Sequence, residues 1–515
     1  MTPTARGRVA VLGAGPAGLA TARFLRGVGL EPVLFEQSDG VGGQWHVGAP
    51  HSSMWPGMRT NTSRINTAFS DLPHPPGTAA YPRAEQIGAY LAEYANRFDL
   101  LRDARLHTRV EEIEPNAHGW RVRSRGADGL VRDESFARVV VATGRHHRPF
   151  TPHIAGLEHF TGAGGVSHAA AYRGAQRFRG QRVLVVGHSI SAVELASDLA
   201  LQGAAQVIVA ARRHRYVLQR MPGGVPVDHC VYTRAAGMTW DTLPPDVTAA
   251  ALMALILRTS GHPHQFGAPV YSENVLEAGF THSPFYLTLV AEQRISTRPW
   301  ITHVQDNTVH YTDGTSDPVD AIVIATGFAL DLPCLGPTAR AALQPDAAHL
   351  DLHAYTFHPD LPGLAIVGQY EHGGPFFPTL ENQARWVAYT FGGIQPMPSA
   401  NAMRAGVAVA QARRGAPHVV RSHVIARAFA RAAGVEPNPD EWPRLSRALW
   451  FGPLSPASFR LVGPDALPDA AARIVADAAA FGAMTGHTFH DSELAQLRAL
   501  RDAGARHDAH AIPLP

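Results

Sequence analysis

The sequence predicts an α/β fold in which one Rossmann-like domain is inserted into another. Two segments, beginning at Arg8 and Arg182, each run from a buried strand through a glycine- or serine-rich turn into a helix and a second strand. Two later apolar strands close in the same tripeptide, Ala-Thr-Gly, which ends at Gly144 and at Gly327. A repeated strand–turn–helix–strand unit is typical of parallel sheets covered by helices.

Composition indicates a large protein that acts on small molecules. The 515 residues are 45% hydrophobic and 17% charged, and 45 basic residues nearly balance 43 acidic ones. Two or more domains are therefore expected, without a strong field for nucleic acid or an anionic membrane. The sequence shows no signal peptide and no apolar run of bilayer length, so we expect a cytoplasmic protein with no membrane partner. Cys230 and Cys334 form no CxxC pair, so any redox chemistry requires a cofactor.

The first strand–helix unit carries a complete dinucleotide fingerprint. Gly13 permits a tight turn, Gly15 lets the backbone approach a pyrophosphate, and Gly18 lets the helix meet the strand. Glu36 ends the second strand, where a carboxylate holds a ribose. The unit therefore predicts a site for an unphosphorylated adenosine such as that of FAD, and an ordinary strand–helix turn is the alternative.

The second unit carries the opposite charge at the equivalent place. Gly187, Ser189 and Ser191 occupy the turn, and Arg212 and Arg213 follow the second strand. A carboxylate there would repel a 2′-phosphate, whereas a guanidinium binds it, so this unit predicts NADPH. A solvated cationic strand end is the alternative.

The paired Ala-Thr-Gly ends predict two chain crossings between the domains. The predicted limits are 1–150 and 316–395 for the FAD domain, 151–315 for the NADPH domain with a helical insertion at about 216–300, and 396–515 for a C-terminal extension that packs on the FAD domain. The predicted cofactor contacts include four residues of the two tripeptides: Thr143, Gly144, Thr326 and Gly327. Core strands with small residues at a tight exit are the alternative.

The segment RTNTSRINTAFSDLP, residues 59–73, fits neither helical nor strand periodicity, and we name it the polar loop. Its first hydroxyl and amide groups belong to Thr60, Asn61, Thr62 and Ser63. Such groups form hydrogen bonds to a ligand without carrying charge. The same residue types often cap local turns, which is the alternative for Asn61.

These motifs resemble the class B flavin-dependent monooxygenases, and within them the flavin-containing monooxygenases that oxygenate soft nitrogen and sulfur. The polar loop with its FSDLP tail is similar to a family segment, as are four further stretches. These are GGQW at 42–45, VLQRMPGGVPVDHCVYTR at 217–234, GLAIVGQYEHGGPFFPTLENQARW at 363–386 and LWFGPLSPASFRLVGP at 449–464. The resemblance therefore covers nearly the whole chain.

The resemblance implies that NADPH reduces FAD and that O2 adds to the flavin C4a, giving a hydroperoxide that oxygenates a small-molecule substrate. It implies that Asn61 faces this adduct, while Thr60, Thr62 and Ser63 shape the loop. Neutral groups suit such a site because they deliver no proton that would expel H2O2. Gln44 and Trp45 are expected near the ribityl chain or the ring of the flavin.

One family signature departs from its usual pattern. In FTGAGGVSHAAAYRG, His168 and Tyr172 keep the family spacing, but two extra residues stand between Gly162 and His168. His168 is therefore predicted to be a structural hydrogen-bonding group at the domain junction. Tyr172 is included among the predicted cofactor contacts, and the Tyr172-Arg173 ending resembles the heteroatom-oxidising branch.

Alternatives to this function remain open. They are a Baeyer–Villiger monooxygenase acting on ketones, an NADPH oxidase or reductase without oxygen insertion, and a non-catalytic nucleotide sensor. No metal site is predicted, because His146-His147 and the HPH of 262–264 show no ligand spacing. The segment 245–258 is expected to pack in the core, with a lid, a homodimer face or a membrane contact as alternatives.

Overall fold

A computed structural model describes residues 7–416 and 419–507 of the chain. The first domain is built on a four-stranded parallel sheet. Its strands, in order across the sheet, are Leu364–Ile366, Arg138–Val141, Arg8–Leu12 and Glu31–Phe35. The helix Pro16–Gly27 follows the third of these and packs on the helix Phe377–Phe391, whose residues are all buried.

The inserted domain is built on a five-stranded parallel sheet. Its strands, in order, are Ile295–Arg298, Gln206–Ala210, Arg182–Val186, Ala321–Ile324 and Gly165–His168. Strands of the first sheet lie on both sides of this range in the sequence, so the inserted sheet is nested within the first domain. The predicted boundary at 315 is too early, because Ala321–Ile324 pairs with Arg182–Val186. The turn at Asp313-Gly314 ends a hairpin but does not end the domain.

The two crossings between the domains run side by side. Arg148–Pro149 leaves the first domain, Phe328–Ala329 returns to it, and these two short strands pair antiparallel. Each domain also carries a three-stranded antiparallel sheet. These sheets consist of Arg109–Asn116, Gly119–Arg125 and Val131–Phe136, and of Ile301–Gln305, Thr308–Tyr311 and Ser316–Pro318.

The helical insertion lies between Tyr216 and the strand Ile295–Arg298. Its helices are Asp228–Val231, Arg234–Thr242, Pro245–Ser260, Val275–Ala278 and Tyr286–Ala291. The short strands Tyr216–Leu218 and Phe280–His282 pair in parallel beside them. Helix Pro245–Ser260 buries Leu252 and Ile256 while Val247 and Leu257 are exposed, so only one of its faces packs on the protein.

The C-terminal extension joins the first domain to the insertion. Its helices are Ala400–Ala412, Ser422–Ala432, Ser446–Phe451, Ala470–Ala479 and Asp491–His507. Helix Ser422–Ala432 contacts both Phe377–Phe391 and Arg234–Thr242. Three other helices are Ala84–Arg97, Ile190–Leu201 and Pro337–Leu343, and the strands His372–Gly373 and Val420–Arg421 form a further pair. Within 7–416 and 419–507, no helix combines the length and the apolar character needed to cross a membrane.

Candidate functional site

A cavity of about 540 Å³ opens at the carboxyl edge of the first sheet. Leu12 pairs with both Phe35 and Val141, so the turns that follow three strands meet at this edge. The turns bring together five of the predicted site residues, and the cavity is lined by Gly13, Gly15, Glu36, Thr143 and Gly144.

Two glycines of the fingerprint are required by close backbone contacts. At Gly13, where φ is +98°, a Cβ atom would lie 2.6 Å from the carbonyl oxygen of Ala142. At Gly18 a Cβ atom would lie 1.9 Å from the carbonyl oxygen of Gly13. Gly18 lies outside the cavity lining and allows the helix to approach the turn.

Glu36 is 5% exposed, and its carboxylate already accepts several hydrogen bonds. Oε2 accepts the N–H of Ala14 at 2.9 Å, and Oε1 accepts the N–H and the hydroxyl of Ser38 at 2.9 and 2.8 Å. These bonds fix the carboxylate at the cavity wall beside the glycine turn. Its remaining acceptor capacity is available to a ribose hydroxyl.

Gln44 and Trp45 line the cavity farther from the glycine turn. The Gln44 amide donates to the carbonyl oxygens of His51 and His146 at 3.0 and 2.8 Å and accepts the N–H of Ser53 at 2.9 Å. Gln44 thus holds the loop at 51–53 against the segment after Gly144.

The polar loop contributes Thr60, Asn61 and Thr62 to the wall. The Thr60 hydroxyl donates to the carbonyl oxygen of Thr62 at 2.8 Å, and the Thr62 hydroxyl pairs with that of Thr67 at 2.8 Å. Asn61 is half-buried, and its side chain makes no hydrogen bond to any residue in the described ranges. It therefore caps no local turn in that part of the chain, and its amide is available to a ligand.

Ser63, predicted as a cofactor contact, is absent from the cavity lining. Its N–H and hydroxyl donate to Oδ2 of Asp228 at 3.0 and 2.9 Å, and the Asn66 amide donates to the same oxygen at 2.8 Å. The Ser63 hydroxyl also lies 2.9 Å from Nε2 of His229. Asp228 is fully buried, so the helical insertion holds one end of the polar loop through this carboxylate.

A second carboxylate, Glu381, holds the other end of the polar loop. Ser70 donates its N–H to Oε2 at 2.7 Å and its hydroxyl to Oε1. Burial and the nearby carboxylate of Asp71 raise the pKa of Glu381 to about 7, against the opposing charges of Arg460 and Arg385.

The cavity wall also carries the ionisable side chains of Arg145, His146 and Glu194, none of which was predicted from the sequence as a site residue. Burial lowers the pKa of His146, which keeps the ring neutral, and raises the pKa of Glu194. Arg145 is 5% exposed and lies 3.1 Å from Glu371. Arg145 directly follows Gly144, a predicted cofactor contact, and this position could have identified it from the sequence.

The second nucleotide turn forms an open edge outside this cavity. Val186 pairs with both Ala210 and Ile324, so the segments after these three strands meet at one edge. The exposed groups there are Ser189, Ser191, Arg212 and Arg213. The guanidinium of Arg212 lies 4.4 Å from the ring centre of Trp300, and that of Arg213 lies 5.4 Å from that of Tyr271. Gly187, with φ of +127°, begins the turn.

Tyr172, Thr326 and Gly327 were predicted as cofactor contacts, but they lie outside the cavity lining. Tyr172 is buried in the core of the inserted domain, and its hydroxyl donates to Asp198 at 2.5 Å. The Thr326 hydroxyl donates to the carbonyl oxygen of Phe150 at 2.6 Å. The hydroxyls of Tyr172 and Thr326 are therefore bonded to neighbouring groups of the protein.

His168 has the structural role predicted for it. Its Nδ1 accepts the N–H of Ala170 at 3.1 Å, and its Nε2 lies 3.0 Å from the carbonyl oxygen of Gly327. The ring thus ties the edge strand Gly165–His168 to the returning crossing.

Comparison of the sequence and the structure with known proteins finds oxygenases in each case. A family described as "Flavin-binding monooxygenase-like" matches residues 6–481. Dimethylaniline monooxygenase [N-oxide-forming] 2 of Rattus norvegicus is 29% identical over 488 residues, which cover 89% of each chain. The structure of S-allyl-L-cysteine S-oxygenase from Allium sativum has a TM-score of 0.63 at 22% identity and covers 97% of this chain and 98% of its own. Cyclohexanone monooxygenase from Rhodococcus sp. Phi1, bound to NADP+, has a TM-score of 0.60 at 19% identity, covering 83% and 97%.

The contacts of Asp228 predict that Asp228→Ala destabilises the polar loop. The substitution leaves three buried donors without their acceptor, which costs on the order of 3 kcal/mol. Thermal unfolding followed by circular dichroism should show a fall of several degrees relative to the parent protein. Glu93→Ala, at an exposed helix position, is the control and should unfold at the parent temperature. An unchanged temperature for Asp228→Ala contradicts the anchoring role.

The raised pKa of Glu381 predicts a pH-dependent effect of Glu381→Gln. Stability from a raised carboxyl pKa is complete below the ordinary value of 4.5 and is lost as the pH rises through about 7. The amide does not ionise, so the unfolding temperature of the variant minus that of the parent should increase from about pH 5 to about pH 8.

Glu436→Gln is the matched control for this experiment. The side chain of Glu436 is 10% exposed, and Arg234 and Arg427 hold its pKa below the ordinary value against the effect of burial. Its variant should therefore show a constant difference over the same pH range. A constant difference for Glu381→Gln contradicts the prediction.

Proposed function

The chain belongs to the flavin-binding monooxygenase-like family, and we propose that it uses NADPH and O2 to oxygenate a soft nitrogen or sulfur atom of a small molecule. The family assignment makes the protein a flavin monooxygenase. The rat relative is named for N-oxide formation and the garlic structure for S-oxygenation, which supports a heteroatom substrate.

The residues at the first sheet edge fit FAD. Gly13 and Gly15 present a backbone turn that admits no side chain at Gly13, and a fixed carboxylate stands at Glu36. In the proposed arrangement the turn holds the pyrophosphate, Glu36 binds a ribose hydroxyl, and Gln44 and Trp45 border the ring. FAD, when bound, supplies the acceptance of electrons from NADPH and the activation of O2.

The open edge of the inserted domain fits NADPH. Ser189 and Ser191 stand at the amino end of the helix Ile190–Leu201, where backbone N–H groups bind phosphate. Arg212 and Arg213 emerge from the neighbouring strand and carry two positive charges for the 2′-phosphate.

Asn61 is the observation on which the proposed reaction chiefly depends. Its neutral amide lies on the cavity wall with no hydrogen bond to another side chain or backbone group in the described ranges. An amide donates and accepts hydrogen bonds without releasing a proton. It therefore orients oxygen and substrate in the cavity without promoting loss of H2O2.

The cavity wall also suits an uncharged, soft substrate. Met54, Trp55, Met58 and Phe376 line it with polarisable and aromatic surface. A tertiary amine or a sulfide is itself the nucleophile, so the protein has to position the substrate and exclude water.

The proposal is tested by assaying a sulfide, a tertiary amine and a ketone in parallel with purified FAD-loaded protein. NADPH oxidation, oxygenated product and H2O2 are each measured. Product from the sulfide or the amine supports heteroatom oxygenation. A lactone or ester from the ketone alone supports a Baeyer–Villiger enzyme, and H2O2 without product supports an oxidase.

The position of Asn61 predicts that Asn61→Ala uncouples NADPH oxidation from product formation. Loss of one hydrogen-bonding group at a reacting centre typically costs about 10²-fold or more in rate. Product per NADPH should fall by at least about tenfold while H2O2 per NADPH rises. Asn116→Ala, at an exposed strand end, should keep the parent ratio. Unchanged coupling in Asn61→Ala removes this residue from the proposed site.

The open edge predicts that Arg212→Ala combined with Arg213→Ala lowers the preference for NADPH over NADH. Loss of charged hydrogen bonds to a phosphate should reduce the ratio of the two kcat/KM values by roughly tenfold or more. Arg102→Ala, at an exposed position of the first domain, is the control. A parent-like ratio in the double variant assigns 2′-phosphate binding to other residues.

A further inference from the structure

We propose that His262, His264 and Glu273 form a binding site for a divalent transition-metal ion of the zinc type, outside the cavity at the first sheet edge. One ligand atom from each of these side chains lies within 4.8 Å of the other two. None of the three residues lines the cavity. Two imidazoles and one carboxylate are a ligand set typical of Zn2+, with water completing the coordination.

The spacing of two of the donor atoms matches that of neighbouring ligands around a metal ion. Nε2 of His262 lies 3.3 Å from Oε2 of Glu273, and the Tyr216 hydroxyl lies 3.4 and 3.5 Å from these two atoms. Ordinary hydrogen bonds are somewhat shorter, at about 2.7–3.2 Å for N–H···O and about 2.5–3.0 Å for O–H···O. Bonds of about 2.0–2.1 Å in a tetrahedral site place neighbouring ligands roughly 3.3 Å apart. The 3.3 Å contact between Nε2 of His262 and Oε2 of Glu273 is a long hydrogen bond, and an ion held by both atoms would replace it at nearly the same spacing.

The local backbone holds the His262 ring in position. The backbone N–H of His262 donates to Oε1 of Gln265 at 2.9 Å, and Nδ1 of the ring accepts the backbone N–H of His264 at 3.3 Å. The ring also meets the Tyr216 ring edge to face at 5.5 Å. Nε2 consequently points toward Glu273, and the ring is 21% exposed.

Metal binding requires only small adjustments of this arrangement. A metal ion on Nε2 places the imidazole proton on Nδ1, which ends the long hydrogen bond from His264. His264 and Glu273 are exposed side chains, so they can move toward the ion without disturbing the core.

A metal ion at this site would join the two ends of the surface segment 262–273. This segment separates helix Pro245–Ser260 from helix Val275–Ala278 and lies beside the strand Tyr216–Leu218. A metal bound there ties both ends of the segment together in the folded state alone, so it should stabilise the helical insertion.

The sequence shows the two histidines of the HPH motif but gives no sign of the third ligand, Glu273. Glu273 lies nine residues after His264, a distance that matches no common metal motif. The turn at Gly267, where φ is +79°, lets the chain fold back toward His262. Only the tertiary structure brings this carboxylate to the two histidines, which the sequence predicted to be solvated or packed.

The test is a titration of Zn2+ into the FAD-loaded protein after treatment with a chelator. Binding is measured by calorimetry, and stability is measured by thermal unfolding. We expect one equivalent bound through this site and a higher unfolding temperature with Zn2+ than without it. His264→Ala and Glu273→Gln should each lower the Zn2+ affinity by at least about tenfold, because even groups outside the coordination shell contribute that much. Both positions are exposed, so these variants should fold like the parent.

His303→Ala is the matched control for surface histidine binding. The rings of His303 and His310 stack with centres 4.3 Å apart, but they belong to no group of three ligand residues in the described part of the chain. His303→Ala should leave Zn2+ binding unchanged. Absence of binding in the parent, parent-like binding in Glu273→Gln and His264→Ala, or loss of binding in His303→Ala would overturn the proposal.

Discussion

The polar loop contains buried donors that no regular helix or strand of its own satisfies, and meeting this requirement shapes much of the molecule. An unpaired donor in the interior costs free energy, so the loop needs acceptors from elsewhere. Asp228 supplies one to Ser63 and Asn66, and Glu381 supplies the other to Ser70. With both ends held, Asn61 lies on the cavity wall with its amide free of hydrogen bonds to the described residues. The same polarity that prevents regular structure in the loop thus makes its central amide available.

The two acceptors come from distant parts of the chain, which explains why the insertion and the C-terminal extension belong to one cooperative structure. Asp228 stands 165 residues after Ser63, and Glu381 stands 311 residues after Ser70. The charge of Glu381 is in turn balanced by Arg460 and Arg385, and Arg385 pairs with Asp465 of the extension at 2.5 Å. The extension therefore supports the polar loop indirectly, through its contacts with the charged groups around Glu381. Such buried charges are stable only when each is paired. Arg473 adds a direct contact by donating to the carbonyl oxygen of Ser70 at 2.6 Å.

The two sheets share one geometry but carry opposite charges at the edges where their turns meet. In each, three parallel strands end in register, and their turns meet at one edge. At the first edge the acidic group is Glu36, which is buried and fixed by backbone N–H groups. At the second edge the basic groups Arg212 and Arg213 are exposed beside aromatic rings. A buried carboxylate suits a cofactor that stays bound, whereas exposed guanidinium groups suit a nucleotide that enters from solvent.

The amino-acid sequence by itself determined the parts of this protein that depend on short-range pattern. Glycine spacing, strand hydrophobicity and the charge at each strand end predicted both parallel sheets, the nesting of the domains and the residues Gly13, Gly15 and Glu36 at the cavity. It also identified the polar loop, because a stretch without periodicity is visible in sequence. The tertiary structure decided that the inserted sheet extends to 324, that Ser63 and Tyr172 lie outside the cavity lining, and that Asp228 and Glu381 hold the polar loop. It also brought Glu273 to His262 and His264. These outcomes depend on which side chains satisfy one another across hundreds of residues, and that choice is made by burial and packing in three dimensions.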